Sequence, residues 1–292
     1  MDFVAFLFIW KMNLHVIHTG NFKLDGGAMF GVVPKSIWNK LNPADENNMC
    51  TWAMRCLLIE DGERLILIDT GIGDKQSEKF FSHYYLHGLY SLMRSLQDAG
   101  ISAEQVTDVF FTHLHFDHCG GAVKYRDAAK NAFELVFQKA THWSNEDHWN
   151  WAIQPNDREK ASFLKENIVP VQESGQLQFI GQENPFAKWF DILYVNGHTE
   201  KQMLPMIRYK GKTIVFVADL LPSAAHIPIP YVMGYDTRPL LTLQEKKAFL
   251  EEALEKEYIL FFEHDPVIEC ATVQMTEKGI RVKETFSLQE IL

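Results

Sequence analysis

Four side chains that commonly bind metal ions lie within six residues of the sequence: His113, His115, Asp117 and His118. Imidazole suits zinc, iron, cobalt or nickel, and a carboxylate adds a hard, negatively charged ligand. Because burying unpaired imidazole and carboxylate groups is costly, a turn that points all four inward requires a cation between them. The competing interpretation is a polar loop in which the histidines have come together by chance.

Three more potential ligands stand at the ends of apolar, strand-like segments: His198 after Phe190–Val195, Asp219 after Thr213–Ala218, and His264 after Tyr258–Glu263. The first group likewise follows an apolar run, Val106–Phe111. Side chains at the ends of parallel or mixed strands converge on one rim of an α/β sheet. We therefore expect all seven side chains to meet, which makes chance clustering a poor explanation.

The elements that must position these residues follow from apolar periodicity. Strands are predicted at Ala53–Glu60, Arg64–Asp69, Val106–Thr112, Phe133–Gln138, Phe190–Asn196, Thr213–Ala218, Tyr258–Glu263, Ile268–Met275 and Ile280–Thr285. An apolar stripe predicts a helix within Ser77–Ala99. Thr242–Glu245 has the pattern of a capping box, which predicts a helix that runs to about Glu257. Gly120–Lys130 is interpreted as a short helix. Helices and loops are expected in Ala140–Gln182. Together these segments predict a mixed α/β sandwich.

Length and composition restrict the class of protein. The 292 residues, 47% of them hydrophobic, suffice for a substantial core, and the formal charge of −10 argues against a nucleic-acid partner. Four cysteines without a CxxC pair are compatible with a reducing compartment, so a cytoplasmic location is expected. We predict a single domain at residues 12–292.

Residues 1–11 are interpreted as an N-terminal extension that forms an edge strand or a poorly ordered tail. The alternative is that translation starts at Met12 and that these residues do not belong to the native protein. Their apolar run is too short to cross a bilayer and lacks the basic start of a signal peptide. No membrane partner is therefore expected.

The order of motifs resembles the metallo-β-lactamase-fold hydrolase superfamily: LIDTG at 67–71, THLHFDHCGG at 112–121, NGHT at 196–199, VADL at 217–220 and EHDP at 263–266. The resemblance implies an αββα sandwich with two mixed sheets and a dinuclear metal centre. It assigns His113, His115 and His198 to one metal, Asp117, His118 and His264 to the other, and Asp219 as the bridge. Two zinc ions are expected, with manganese, iron, cobalt or nickel as alternatives. Asp69 is predicted either to orient a ligand histidine or to cap its turn.

Departures from other branches of the superfamily narrow the expected substrate. Asp219 stands where zinc β-lactamases commonly have cysteine, the intact HxHxDH argues against flavodiiron proteins, and the acidic charge argues against RNA-processing enzymes. Ala218–Pro239 and Phe30–Trp38 resemble the group containing quorum-quenching N-acyl-homoserine lactonases and methyl parathion hydrolase. We therefore predict a hydrolase in which a metal-bridging hydroxide cleaves a small ester-type bond, first a lactone. A phosphotriesterase and a glyoxalase II-like thioesterase are the alternatives.

Substrate contacts are predicted less directly. The resemblance implies a substrate-polarising tyrosine three residues after the bridging aspartate, but Pro222 stands there. The role is then vacant or filled by Tyr231 or Tyr235. His226 could contact substrate or anchor its loop, and Phe116 could face the pocket or the core. Asp117, or a metal-bound water, is expected to protonate the leaving oxygen of a small-molecule substrate, and a homodimer is the assembly considered.

Overall fold

A computed structural model describes residues 12–62, 64–181 and 186–292, and the expected N-terminal extension, residues 1–11, lies outside this part of the chain. The described strands are β1 (Met12–Asp25), β2 (Met49–Asp61), β3 (Arg64–Ile68), β4 (Asp108–Phe110), β5 (Val123–Tyr125), β6 (Phe133–Leu135), β7 (Thr141–Ser144), β8 (Leu177–Phe179), β9 (Phe190–Val195), β10 (Gln202–Tyr209), β11 (Lys212–Phe216), β12 (Ile259–Phe261), β13 (Cys270–Thr276) and β14 (Gly279–Phe286). The described α-helices are α1 (Gly26–Phe30), α2 (Lys35–Trp38), α3 (Glu78–Phe81), α4 (Leu92–Asp98), α5 (Phe116–Cys119), α6 (Glu146–Ile153), α7 (Lys165–Glu173) and α8 (Pro239–Glu255). Short 3₁₀ helices lie at Ala103–Gln105, Gly120–Ala122, Ala218–Leu220, Ala224–His226 and Leu288–Ile291.

Two six-stranded sheets organise the chain. The first has the strand order β1-β2-β3-β4-β7-β8 and the second β14-β13-β12-β11-β10-β9, while β5 and β6 form a separate pair. The pairs β3–β4, β4–β7 and β7–β8 are parallel, as is β11–β12. The remaining pairs of both sheets are antiparallel. Both sheets are therefore mixed, as the sequence predicted.

Alternating side chains divide the apolar residues between a central and two outer layers. On β2, Leu57 and Ile59 belong to the core between the sheets, whereas Leu58 belongs to the outer one. On β12, Phe261 points into the central core and Leu260 into the opposite outer layer. This division follows from the two-residue period of a strand.

Helices cover both outer faces. Buried apolar residues of α4, α6 and α7 pack on the first sheet, and those of α8 pack on the second. The predicted αββα sandwich of the metallo-β-lactamase fold is confirmed. Among the described residues no helix is long and apolar enough to cross a membrane.

The long helix predicted within Ser77–Ala99 is wrong. The structure has two short helices there, α3 and α4, separated by a segment that lies along β1. The backbone N–H groups of Asn21 and Lys23 donate to the carbonyl oxygens of His87 (3.0 Å) and Tyr84 (2.7 Å). Because these bonds to β1 occupy carbonyls that a helix would use, the tertiary contact overrides the local apolar pattern.

Two other helix predictions also need correction. Helix α8 begins at Pro239 rather than at a capping box, so Thr242 lies inside the helix. Gly120–Lys130 is not one helix, because Gly120–Ala122 forms a 3₁₀ turn that leads directly into β5. The segment Ala140–Gln182 contains the expected helices, but it also supplies β7 and β8 to the first sheet.

We expect the buried His142 on β7 to make folding stability fall in acid. Burial lowers the pKa of His142 to about 4. The unfolded chain takes up a proton on this ring below about pH 6.5, whereas the folded chain does not until about pH 4. Stability that is present at neutral pH is therefore lost as the pH falls through this window.

His142→Phe should reduce the stability lost between about pH 7 and about pH 5 by about 2 kcal/mol. Urea unfolding of the two proteins at both pH values measures the difference, and the exposed His83, replaced in the same way, is the control. Equal losses in the wild type and the His142 variant would contradict the expectation.

Candidate metal centre

Five strands end at one rim of the sandwich, and the potential ligands follow them. Asp69 follows β3 and the HxHxDH segment follows β4 in the first sheet, while His198, Asp219 and His264 follow β9, β11 and β12 in the second. Strands β9, β11 and β12 run in the same direction, since β10 is antiparallel to both of its neighbours. The sheet topology thus carries all seven sequence-predicted ligands to one place.

Backbone hydrogen bonds join the two sheets beneath the site. The Thr112 carbonyl accepts from the N–H of Met203 in the second sheet at 2.9 Å. On the other side, the N–H of Ala53 in β2 donates to the His264 carbonyl at 3.1 Å. The ligands from the two sheets are therefore held at a fixed separation by main-chain contacts.

The first group of potential ligands contains three imidazoles and one carboxylate. His115 Nδ1 lies 3.1 Å from both His113 Nε2 and His198 Nε2. Asp219 Oδ2 lies 3.1 Å from His198 Nε2 and 3.8 Å from His113 Nε2. All four residues are buried.

The second group uses the other side of Asp219. His118 Nε2 and His264 Nε2 are 3.2 Å apart, and Asp117 Oδ2 lies 3.8 Å from each of them. Asp219 Oδ1 lies 3.1 Å from His264 Nε2. Asp219 Oδ2 also lies 3.6 Å from His118 Nε2. One carboxylate therefore contacts both groups, the arrangement expected of a bridging residue.

These donor sets fit divalent cations. In a tetrahedral site with metal–nitrogen bonds of about 2.0–2.1 Å, neighbouring ligand atoms lie roughly 3.3 Å apart, close to the 3.1–3.8 Å separations between atoms here. Asp219 Oδ1 is buried, and no described residue gives it a well-directed hydrogen bond. A cation in each group would accept a lone pair from each ligand atom and satisfy this oxygen.

Asp219 is the negative centre of both groups. Although burial opposes ionisation, the surrounding His198, His264 and His118 hold the pKa of Asp219 well below its usual range. In turn, and against the effect of burial, Asp219 raises the pKa of His198 to about 10 and that of His264 to about 9. Protons on these imidazoles supply positive charge that a bound metal ion would replace, so metal binding should release protons.

His118 lies between two buried carboxylates on its outer side. Its Nδ1 is 3.1 Å from Asp69 Oδ2 and 3.0 Å from Glu263 Oε2. Burial, together with the charge of Asp69, raises the pKa of Glu263 to about 8. A protonated Glu263 relieves repulsion between the two acids, while Asp69 accepts the ring N–H and leaves Nε2 free for a metal. Asp69 therefore lies where orientation of a ligand histidine was predicted, and its φ of 57° turns the chain there.

Other ligand rings are also held from behind. His198 Nδ1 is 2.9 Å from Asp236 Oδ1, and the N–H of His264 Nδ1 donates to the Ala53 carbonyl at 2.7 Å. His115 Nε2 lies 3.7 Å from Glu159 Oε1. These contacts fix which ring nitrogen faces the metal groups.

Helix α8 supports the His198 loop. The Glu245 carboxylate accepts the N–H groups of Asn196 (2.8 Å) and Gly197 (2.9 Å). A Cβ on Gly197 would lie 2.2 Å from Thr242 Oγ1 and 2.5 Å from the Thr242 nitrogen. Thr242 and Glu245, predicted to cap the helix, instead pack against the loop and hold it.

A cavity of about 320 Å³ opens onto both groups, since His115, His198, Asp219 and His264 all line it. Its remaining walls are largely apolar and are formed by Leu24, Met29, Tyr84, Phe116, Arg158, Glu159, Ala161, Ser162, Met233, Gly234 and Tyr235. A small molecule placed there would contact the ligand groups directly.

The sequence-predicted substrate residues separate into two pairs. Phe116 and Tyr235 line the cavity. His226 is buried, where its Nε2 donates to the Met29 carbonyl at 2.9 Å and its Nδ1 faces Ser223 Oγ at 2.8 Å. The Tyr231 ring packs edge-on to Phe30 at 6.4 Å. These contacts place His226 and Tyr231 behind the cavity wall, in the loop-anchoring position.

The wall near Tyr235 depends on a buried lysine. The amine of Lys246 in α8 donates to the carbonyls of Pro228 and Tyr231 at 2.8 Å and of Ile229 at 3.3 Å. Burial lowers the pKa of Lys246 to about 7. Three carbonyls match the three N–H donors of a protonated amine, so Lys246 fixes the path of this loop.

Sequence reasoning missed the acids behind the ligands, Glu159, Asp236 and Glu263. Glu263 had one signal, since it directly precedes His264 at a strand end. Glu159 and Asp236 lie in loops with no recognisable motif, so only the folded chain reveals them.

The sequence profile described as "Metallo-beta-lactamase superfamily" matches residues 55–264, a span that includes all seven potential ligands. The chain belongs to this superfamily. It is a metal-dependent hydrolase.

Relatives within the superfamily include lactonases. An N-acyl homoserine lactonase from Bacillus cereus is 23% identical over 243 residues, which cover 79% of this chain and 87% of the relative. A probable metal-dependent hydrolase from Staphylococcus aureus superimposes with a TM-score of 0.84 at 27% identity, covering 94% of this chain and 96% of the other. AidC, a dizinc quorum-quenching lactonase solved with a product, gives a TM-score of 0.78 at 22% identity, covering 95% and 96%.

Proposed function

We propose that this superfamily member holds two divalent metal ions and hydrolyses lactones, with N-acyl-homoserine lactones as the substrate class. The observation that carries the proposal is the single Asp219 carboxylate, whose two oxygens each lie 3.1 Å from a histidine of a different group. Zinc is the proposed metal because the donors combine imidazole and carboxylate. The similarity to lactonases over 79% of the chain supports the substrate class.

The ligand residues would divide as two sets. His113, His115 and His198 would hold one ion and Asp117, His118 and His264 the other, with Asp219 shared. Bound there, the ions would supply Lewis acidity and activate water as a nucleophile at neutral pH. Asp69 and Asp236 would keep the facing nitrogens of His118 and His198 unprotonated, since each accepts the N–H on the opposite side of its ring.

Asp117 is the residue proposed to move a proton. Its Oδ2 stands 3.8 Å from the Nε2 atoms of His118 and His264, at the edge of the second group. A carboxylate in this position can take a proton from the attacking water and deliver it to the leaving oxygen. When the ring C–O bond of a lactone breaks, the leaving oxygen is an alkoxide that stays on the same molecule, and this alkoxide needs a proton.

The charges around the cavity favour an uncharged substrate. Apart from the potential ligands, the charged side chains that line it are Arg158 and Glu159. Arg158 Nη2 donates to the Asp236 carbonyl at 3.0 Å, and Glu159 accepts from Thr199 Oγ1 at 2.6 Å. The lining thus carries one positive and one negative side chain besides the potential ligands, whereas its apolar walls suit an acyl chain.

A substrate panel tests the proposal. Zinc-loaded protein is assayed with N-hexanoyl-homoserine lactone, an aryl phosphotriester and a glutathione thioester. The lactone should have a kcat/KM at least roughly tenfold above the others. Chelation should abolish turnover and added zinc should restore it. Turnover of the phosphotriester or the thioester alone would overturn the lactonase assignment while leaving metal-dependent hydrolysis intact.

A further inference from the structure

Ester hydrolysis places negative charge on a substrate oxygen, and a pre-placed hydrogen-bond donor there would add to the Lewis acidity that bound ions would supply. The cavity-lining groups outside the two metal groups that could donate are the side chains of Tyr84, Ser162, Arg158 and Tyr235. Arg158 is exposed, and its Nη2 is bound to the carbonyls of Gly234 and Asp236, which ties the guanidinium to that loop. The hydroxyl groups therefore remain as candidates.

Tyr84 is placed differently from its neighbours in the chain. Every other residue from Ser82 to Tyr90 is exposed, whereas Tyr84 is partly buried and lines the cavity. Its carbonyl accepts from the Lys23 N–H at 2.7 Å, which ties this point of the segment to β1. The segment between α3 and α4 thus turns one side chain inward.

The Tyr84 ring is fixed against the metal-ligand segment itself. Its centroid lies 4.8 Å from that of Phe116 and 4.9 Å from that of Phe80. In the sequence, Phe116 stands between the potential ligands His115 and Asp117. The Tyr84 hydroxyl is not hydrogen-bonded to any residue that the structure describes. The ring centroids of Phe80 and Phe116 lie 5.3 Å apart, so the three rings form one aromatic cluster. A tyrosine ring held in such a cluster with an unpaired hydroxyl is a pre-oriented donor.

We infer that the Tyr84 hydroxyl donates a hydrogen bond to the substrate carbonyl oxygen as that oxygen becomes negatively charged. This inference rests on the proposed function, because it assigns a role in the same hydrolysis. Tyr235 is the weaker of the two tyrosines, since 41% of its surface is exposed, and Ser162 has no ring that packing could hold in one orientation. Tyr84 thereby fills, from a distant part of the chain, a role that the residue at Pro222 cannot perform.

The protonation state of Tyr84 agrees with this role. Burial, followed by the negative charge of Asp117, raises the pKa of Tyr84 to about 12. The phenol therefore keeps its proton at neutral pH and remains a donor.

Tyr84→Phe tests the inference because it removes the hydroxyl and keeps the ring contacts. In zinc-loaded protein with N-hexanoyl-homoserine lactone, we expect kcat to fall on the order of 10²-fold while KM changes little. Zinc content and the thermal midpoint should be unchanged. Tyr85→Phe is the matched control and should retain kcat within about threefold, since it removes the same atom from a neighbouring tyrosine that is 52% exposed and lies outside the cavity lining. Tyr235→Phe measures the competing candidate.

Binding of a tetrahedral phosphonate analogue of the opened lactone provides a readout other than turnover. By calorimetry, Tyr84→Phe should bind the analogue at least roughly tenfold more weakly than the wild type, with Tyr85→Phe unaffected. A Tyr84→Phe variant with wild-type kcat and phosphonate affinity, or a larger loss in Tyr235→Phe, would overturn the inference. If the wild type cleaves another ester but no lactone, the proposed function fails, and Tyr84 is judged on that ester and on the phosphonate.

Discussion

Asp219→Ala should remove metal from both ligand groups and abolish hydrolysis. The carboxylate contacts each group at 3.1 Å, so its loss takes a ligand and the local negative charge from both at once. Zinc should fall from about two ions per chain to below one after gel filtration. The loss in kcat/KM should exceed the roughly 10–100-fold expected when only an outer hydrogen-bond partner of a ligand is removed.

Two variants make this result specific. Asp98 is exposed on α4, where it lies 3.9 Å from Arg94, and Asp98→Ala should leave zinc content and turnover unchanged. Asp236→Asn removes the charge behind His198 without removing a ligand, so it should weaken zinc binding by roughly 10–100-fold. If Asp219→Ala retained two zinc ions, the bridging assignment would be wrong. If it lost zinc but kept full turnover, hydrolysis would not depend on this centre.

The ligand set could be predicted because its signals are local. Each ligand follows an apolar run, and the end of a strand is visible in the sequence within a few residues. The sheet topology then determines that the ligands lie close together, since side chains that follow strand ends on one rim of a sandwich converge. The apolar periodicity predicted a mixed α/β sandwich, and the two mixed sheets with their helical layers were implied by the resemblance to the superfamily.

The hydrogen bonds behind the ligands could not be predicted, because they depend on how loops pack. Asp236 is separated by 38 residues from His198, the ring that it contacts, and Glu159 lies in an irregular turn. No spacing rule connects such pairs. Their positions follow from the path of the chain around α8 and from anchors such as Lys246, whose partners are backbone carbonyls rather than recognisable side chains.

The errors in helix prediction have a similar cause. The apolar stripe in Ser77–Ala99 has helical spacing, yet Leu89 is 80% exposed and Met93 51% exposed. The carbonyls of Tyr84 and His87 are bonded to β1 instead of to a helical turn. This departure from the local pattern has a consequence at the site, since it brings Tyr84 to the cavity wall.

Gly197→Ala should disrupt the centre from a position that holds no metal. The added Cβ would lie 2.2 Å from Thr242 Oγ1 and 2.5 Å from the Thr242 nitrogen. Because one of these atoms is backbone inside α8, the clash cannot be relieved by rotating a side chain. We expect either the helix or the His198 loop to shift, which would separate Gly197 and Asn196 from the Glu245 carboxylate that accepts their N–H groups.

The expected cost is about 3 kcal/mol in unfolding free energy, with zinc binding weakened by roughly 10–100-fold as His198 is displaced. Urea unfolding and zinc titration measure the two effects. Gly181→Ala is the matched control, since a Cβ there meets no atom of the described residues within 4 Å. Adding Thr242→Ala should not rescue Gly197→Ala, because the contact with the Thr242 nitrogen remains. Full rescue would show that only the hydroxyl of Thr242 limits this loop, and a neutral Gly197→Ala would show that the loop can move without disturbing His198.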